Sequence, residues 1–491
     1  GRRRPGGPAM NPYLLTQLPL IGGFIFLLIL ASVRPDKQER ISSVISVIAL
    51  CSTAAAIWLF LPDNPHQAVS YFGGAIRVTM VGKVVAYLCL GLTAIGMILS
   101  EEYLDKVRVT GVDWRMVVLA LALGMVNLCL AGDIATLFIA YELVSIPSYV
   151  LAGFSHKDPR SNEAGMKYLL LGAFTSVLFL LGLSFIYGAT GEIHLMAIQE
   201  KLARAVEAGA TADLTLAKVG LAFLMGAVLF KVAVAPLHSW LPDVYQGTNL
   251  ASLAIISSPV KVAVFGMLGM LLWGAFEPLA DLWKPVLLVG AAVSAVMGNL
   301  QAVVQTNLKR LVAYSAVVNA GFILLGILVN SVPIVVFYLG SYGIMTLGSW
   351  AALMAMGSRN ADVDELSDLA GMGKTHRWLA LGLTVILLSY AGIPLTSGFA
   401  AKFGVVLEAL RPDAALPPMT LWVVFLSVCG GLVSFYFYFQ IIRAMWLQPV
   451  RPEVPGRRAD APGLRWNYAF VLVLSVVAIL SLGMFLRLPG M

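Results

Sequence analysis

The chain has 491 residues, 59% of them hydrophobic and 12% charged, and its mean hydropathy is +0.86. A soluble domain carries roughly 25% charged residues, so this composition excludes a soluble enzyme and points to an all-α polytopic membrane protein. The net charge of +7 is explained by basic loops kept on one side of a bilayer, and no nucleic-acid partner is expected.

Apolar runs of about 20 residues are long enough to span hydrocarbon. They predict helices near Tyr13–Val33, Ile41–Leu61, Met80–Ser100, Trp114–Ala131, Asp133–Phe154, Glu163–Tyr187, a broken Leu216–Tyr245, and Asn249–Gly274. The second half adds Asp281–Val304, Lys309–Val329, Val332–Met356, an interrupted Trp378–Leu410, Leu421–Trp446 and Trp466–Leu486, about 14 spans in all. The first nine residues, GRRRPGGPA, precede Met10 and are set aside as a basic tail, an expression scar or an upstream start. Helices one to three then fill 10–113, five-helix repeats fill 114–274 and 281–448, and a loop with a C-terminal helix fills 449–491. Basic residues concentrate in odd-numbered loops, from Arg34, Lys37 and Arg40 in the first, through Lys106 and Arg108 in the third and Arg359 in the eleventh, to Arg451, Arg457, Arg458 and Arg465 in the thirteenth. This places both termini outside. Between the sixth and seventh spans, LMAIQEKLARAVEAG reads as an amphipathic helix along the outer surface.

The repeat is visible in its punctuation. The seventh span carries Lys231 and is broken at Pro236; the twelfth is broken at Ala391–Gly398 and carries Lys402. Proline removes a donor and clashes with the preceding turn, and broken backbone is tolerated at membrane depth only inside protein or a wet cavity. Five spans separate the start of one unit from the start of the next, and an odd number inverts the second. Two inverted five-helix repeats with two discontinuous helices are the expected fold, and paired breaks point to a transport site near the midplane.

Four ionisable residues fall well inside predicted spans: Glu142, Lys231, Lys261 and Lys402. A charge at the bilayer centre costs about 2.5–3.5 kcal/mol on insertion scales, so such residues are functional candidates by default. Burial penalises charge and an opposite charge relieves the penalty, so a Glu and a Lys within reach form a switchable element for proton transfer. A single lysine can also snorkel or satisfy a helix end; four together, two beside helix breaks, are hard to explain that way. His238 sits at the first break, where a neutral imidazole can relay protons or hydrogen-bond freed carbonyls. Lys167 lies near the inner end of its span and ranks below the others. Cys51, Cys89, Cys129 and Cys429 are isolated in apolar runs, which gives neither an iron–sulfur nor a zinc pattern. GMGKT at 371–375 lacks the leading glycine of a phosphate loop, having Asp368 there, and no strand precedes it.

At these residues the chain resembles the antiporter-like membrane subunits of respiratory complex I. The matching stretches are YELVSIPSYVLAGF, EAGMKYLLLGAF, YGATG, FKVAVAPLHSWLPDVYQG, GNLQAVVQTNLKRLVAYSAVVNAGF and LSYAGIPLTSGFAAKFG, which run from Tyr141 to Gly404. Within that family it looks most like the N type. The M type usually has a glutamate where Lys402 stands, the L type carries a long lateral helix, and the N-type APDVYEG is matched by LPDVYQG with Gln246 for glutamate. The resemblance implies that Glu142 pairs with Lys231, that Lys261 bridges along a central polar axis, that Lys402 ends the second half-channel, and that His238 helps to connect them. It also implies that the chain holds no cofactor. NADH, FMN, iron–sulfur clusters and quinone are expected in partner subunits, and the other membrane subunits, lipids and protons are the expected partners. The expected location is the bacterial plasma membrane. Moving one charge against 100 mV takes about 2.3 kcal/mol, and no residue pattern here supplies that energy, so an external redox partner is required. A subunit of a multi-subunit sodium/proton antiporter is the alternative; a purely structural membrane scaffold is a third reading, in which neutralising the lysines is harmless.

Overall fold

The backbone of so apolar a chain must satisfy its own hydrogen bonds within hydrocarbon, and helices do this segment by segment. The computed structural model describes residues 11–33, 39–62, 68–107, 109–357, 362–411, 416–450 and 465–485. The tail 1–9, the loop residues Arg34, Lys37, Arg108, Arg359, Arg451, Arg457 and Arg458, and Leu486 lie outside them.

The helices are α1 (Pro12–Val33), α2 (Glu39–Phe60), α3 (Met80–Lys106), α4 (Gly111–Leu130), α5 (Ile134–Ala152), α6 (Pro159–Thr190), α7 (Leu195–Ala208), α8 (Thr211–Lys231), α9 (Trp240–Gly247), α10 (Leu250–Ser257) and α11 (Pro259–Trp273). They continue with α12 (Ala280–Val303), α13 (Leu308–Leu328), α14 (Val332–Met356), α15 (Met372–Thr375), α16 (Arg377–Ala391), α17 (Ser397–Ala409), α18 (Thr420–Leu447) and α19 (Trp466–Phe485). Among the described residues, 13 helical stretches are long and apolar enough to cross a membrane, α10 and α11 counting together as one. The separately short α16 and α17 form the interrupted span that brings the crossings to 14. The chain is a multi-pass membrane protein.

Helix starts are set by local chemistry. Asp133 accepts from Thr136 N at 2.6 Å at the head of α5, Asn249 from Ser252 N at 2.8 Å at α10, and Asn307 from Arg310 N at 3.1 Å at α13, each satisfying an otherwise orphaned donor. Packing then repeats. The contacts α4–α5, α5–α6, α6–α8, α6–α9 and α4–α11 recur as α12–α13, α13–α14, α14–α16, α14–α17 and α12–α18. Backbone approach without side chains seals the α6–α8 pair: a Cβ on Gly182 would lie 2.6 Å from Gly220 O, and one on Gly220 would lie 2.7 Å from Gly182 O. Small residues admit such close packing where lipid supplies no hydrophobic drive. Between the outward-facing helices, α11 and α13 are almost wholly buried.

Two features were absent from the sequence reading. A hairpin of β1 (Val69–Tyr71) and β2 (Ile76–Val78) lies between α2 and α3, with Val69 opposite Val78; the bridge Ile76–Ala131 ties it to the loop after α4, and Asp133–His194 ties that loop to the one after α6. Strands of three residues are too short to show alternation. The eighth span is also jointed. Ser258 leaves helical geometry at φ −110°, ψ −86°, because Pro259 disfavours the helical region at the residue before it, and Ser258 Oγ donates to Gly343 O at 3.0 Å. The amphipathic α7 buries Leu195, Ile198 and Leu202 as one face.

Candidate functional site

The first break begins where α8 stops at Lys231. Ala233 N donates to Phe230 O and Val234 N to Leu229 O, both at 2.9 Å, the paired closure that ends a helix with a left-handed residue. That residue is Ala233, at φ 60°. A non-glycine residue there costs about 1–2 kcal/mol, so the turn is held by its surroundings. Leu395, in the break between α16 and α17, is likewise left-handed at φ 71°. The second break places its strain differently: Gly392, at φ 84°, closes α16 as Ala233 closes α8, and Leu395 follows it by three residues.

Lys231 is 3% exposed. Its Nζ stands 4.5 Å from the Tyr149 ring centroid and 4.9 Å from that of Tyr168, and has no hydrogen-bond partner among the described residues. The Gly182–Gly220 approach brings α6, and with it Tyr168, against α8. Tyr168 stacks on Trp240 at 4.5 Å, and Trp240 Nε1 donates to Phe230 O at 3.1 Å, so the cage is tied to the backbone of the break. Glu142, on α5, lies two helical turns before Tyr149 and is half-buried. Among the described residues Glu142 and Lys231 do not close into a contact ion pair, and Glu142 Oε1 has no hydrogen-bond partner.

His238 follows within the break. Its Nε2 meets Gln301 Oε1 of α12 at 2.7 Å, and its ring stands edge-on to Tyr314 of α13 at 6.2 Å. The first break is therefore plugged into the second repeat. Lys261 is the third residue of α11, immediately beyond the Ser258 joint; it is 3% exposed, its Nζ has no hydrogen-bond partner among the described residues, and it lies 5.9 Å from the Tyr245 ring of α9. Trp350 of α14 meets Tyr245 edge-on at 6.2 Å and donates to Ser257 Oγ at 2.8 Å.

In the second repeat, Lys402 Nζ donates to Tyr390 O at 2.6 Å, in the last turn of α16, and lies 5.1 Å from the Phe322 ring. The Lys402 ammonium therefore sits at the carbonyl end of the half-helix that precedes its break, whereas Lys231 is the last residue of its own half-helix. Tyr390 hydroxyl meets Thr346 Oγ1 at 2.9 Å, its ring stacks on Tyr438 at 5.8 Å, and the Tyr438 hydroxyl shares a hydrogen bond with Ser315. Asn319, one turn on, accepts from the Tyr338 hydroxyl at 3.0 Å.

The sequence reading missed this row of buried tyrosines. Tyr149 and Tyr168 flank Lys231, Tyr245 faces Lys261, and Tyr390 meets Lys402 and stacks on Tyr438; a signal for part of it was present in Ser315 and Asn319, polar residues at helical spacing in an apolar run. Lys167 is placed apart, on the basic face, 2.7 Å from Glu163 and 2.9 Å from Asp243. Arg310 reaches Asp243 at 2.7 Å and donates to Gln246 Oε1 at 3.1 Å. The described residues contain no group of three or more potential metal ligands.

An inverted-repeat bundle with a buried lysine at each helix break defines a membrane protein of the antiporter-like, ion-translocating class. The chain belongs to the NADH:quinone oxidoreductase/Mrp antiporter transmembrane family, whose model matches residues 131–433. It is 32% identical over 476 residues to NADH-quinone oxidoreductase subunit N of Laribacter hongkongensis, covering 96% of this chain and 93% of that protein. Among solved structures, a chain of respiratory complex I from Thermus thermophilus is 28% identical with a TM-score of 0.76, covering 95% of this chain and 96% of that one. A chain of the Mrp complex from Dietzia superposes with a TM-score of 0.79 over 96% of this chain and 93% of its own, and at 19% identity it shows the shared fold.

Proposed function

We propose that this chain is the N-type proton-translocating membrane subunit of a bacterial NADH:quinone oxidoreductase. The observation that carries the reading is the matched pair of buried lysines at two strained helix breaks, Lys231 in a tyrosine cage and Lys402 on the carbonyl end of α16. Lys231 takes and releases a proton under the influence of Glu142. His238, reaching Gln301 in the second repeat, and Lys261 carry the charge onward, and Lys402 is the terminal group of the second half-channel.

The energy enters from outside the chain. Each proton moved against 100 mV takes about 2.3 kcal/mol, which electron transfer from NADH to quinone supplies in partner subunits that hold the FMN, the iron–sulfur clusters and the quinone. The chain is a translocase subunit that moves charge while its partners move electrons. The basic loops face the bacterial cytoplasm, and outward apolar residues such as Phe174, Trp422 and Phe425 meet lipid and neighbouring membrane subunits.

The test is Glu142→Gln in the intact complex, in inverted native-membrane vesicles, with NADH oxidation and proton uptake recorded together. The expected result is an assembled complex whose coupled proton uptake is lost. Wild-type uptake per NADH overturns the assignment, and sodium exchange driven by a gradient without NADH would assign the chain to a sodium/proton antiporter instead.

A further inference from the structure

On the basic face, α3 and α13 converge on one carboxylate of the segment after α14. Asp362 Oδ2 accepts from the Tyr103 hydroxyl at 2.5 Å, and Oδ1 from Lys106 Nζ at 2.7 Å. Lys309 Nζ stands 4.0 Å from Asp362 and 3.4 Å from Asp364. Two of these partners reach further. The Tyr103 hydroxyl accepts from Leu250 N at 3.4 Å, and Lys309 Nζ donates to Thr248 O at 3.4 Å.

Thr248 and Asn249 are the whole connection between α9 and α10, and Leu250 opens α10. They join the broken span that carries Lys231 to the jointed span that carries Lys261. Both ties on this link come from groups that contact Asp362, Tyr103 from α3 and Lys309 from the second repeat, the latter shared with Asp364. Asn249 adds a third tie through Ser155 Oγ at 3.1 Å. Tyr103 is 1% exposed and Lys309 6%, so both ties are made by buried groups. Asp362 lies at the wall of a cavity of about 610 Å³ that is also lined by Lys106, Lys309 and Thr248.

We propose that Asp362 is a positioning residue for proton translocation: through Tyr103 and Lys309 it fixes the 248–250 link, and with it the relative placement of the Lys231 and Lys261 spans. This rests on the translocation reading above. Asp362 lies outside the buried lysine path and acts through the two groups it contacts.

The experiment compares Asp362→Asn, Asp362→Glu and Tyr103→Phe in the intact complex, reading protons moved per NADH oxidised and backbone hydrogen exchange in peptides covering 248–250. Asp362→Asn is expected to speed exchange there about tenfold, the scale of one lost charge-assisted hydrogen bond, and to lower the proton ratio while uncoupled NADH oxidation persists. Asp362→Glu restores part of both. Tyr103→Phe, which removes the tie to α10 and leaves the lysine pairs, gives the same two changes and decides the matter if Asp362→Asn fails to assemble. Wild-type exchange at 248–250 overturns the proposal, and so does faster exchange with an unchanged proton ratio, which would make Asp362 a stabilising clamp alone. Should Glu142→Gln leave the ratio unchanged, the translocation reading fails separately, while the exchange arm still reports whether Asp362 holds the link.

Discussion

Replacing Lys231 by Met separates a transport role from a structural one, because the structure makes the lysine nearly dispensable for stability. The ammonium costs about 2.5–3.5 kcal/mol to insert and has no hydrogen bond among the described residues to lose. Its compensation is two ring contacts, at 4.5 and 4.9 Å, worth about 0.5–2 kcal/mol each. Methionine fills much of the same volume, and the balance lies within about 2 kcal/mol of zero, at or below the low end of the roughly 2–5 kcal/mol lost in a large core truncation. The expected outcome is a complex that melts close to wild type by intrinsic fluorescence in detergent and no longer pumps in vesicles. A variant that melts far below wild type, or pumps normally, refutes the reasoning.

Lys402→Met should be less stable than Lys231→Met by about 1–2 kcal/mol, since it strands the Tyr390 carbonyl; the two melting curves measured side by side check this. Ala233→Gly and Leu395→Gly each relieve about 1–2 kcal/mol of left-handed strain against about 0.5–1 kcal/mol of added chain entropy, so each should raise the melting temperature slightly, and a fall would show that the strain is misread. Burial pushes the Asp362 carboxyl up, but Lys309, Lys106 and the Tyr103 hydrogen bond hold it below the ordinary carboxylate range. A carboxylate whose value is lower in the folded state contributes stability that is complete above about pH 4 and is lost as pH falls through its folded value. Thermal melting in that acid window should therefore weaken in wild type, and Asp362→Asn should flatten the dependence.

The spans and both helix breaks were legible because their signals are long or local: 20 apolar residues announce a crossing, and Pro236 or the AGIPLTSG run announces an interruption. The buried lysines stood out because charge is rare in such runs. What the sequence hid depends on contacts between distant segments. Nothing near Asp362 in sequence marks it as the meeting point of Tyr103, Lys106 and Lys309, since a loop aspartate ordinarily faces water. The tyrosine row was hidden for the complementary reason: an aromatic residue in an apolar helix reads as packing until its hydroxyl finds a partner such as Thr346. The Ser258 joint had a local cue in Pro259, but proline at the first position of a helix is also unremarkable, and the run around it is uniformly apolar.

That joint gives the eighth span the mechanics of a lever. Beyond Ser258, α11 extends 15 residues, about 22 Å at 1.5 Å per residue, whereas Lys261 lies three residues out, about 4.5 Å. A tilt of about 10° about the joint would sweep the far end through about 4 Å and displace the Lys261 backbone by less than about 1 Å. The lysine sits at the fulcrum. Rearrangement at the Trp273 end can then be large while the charge stays in register with Tyr245, and the reverse gearing holds too: a sub-ångström shift at the lysine is magnified several-fold at the opposite face.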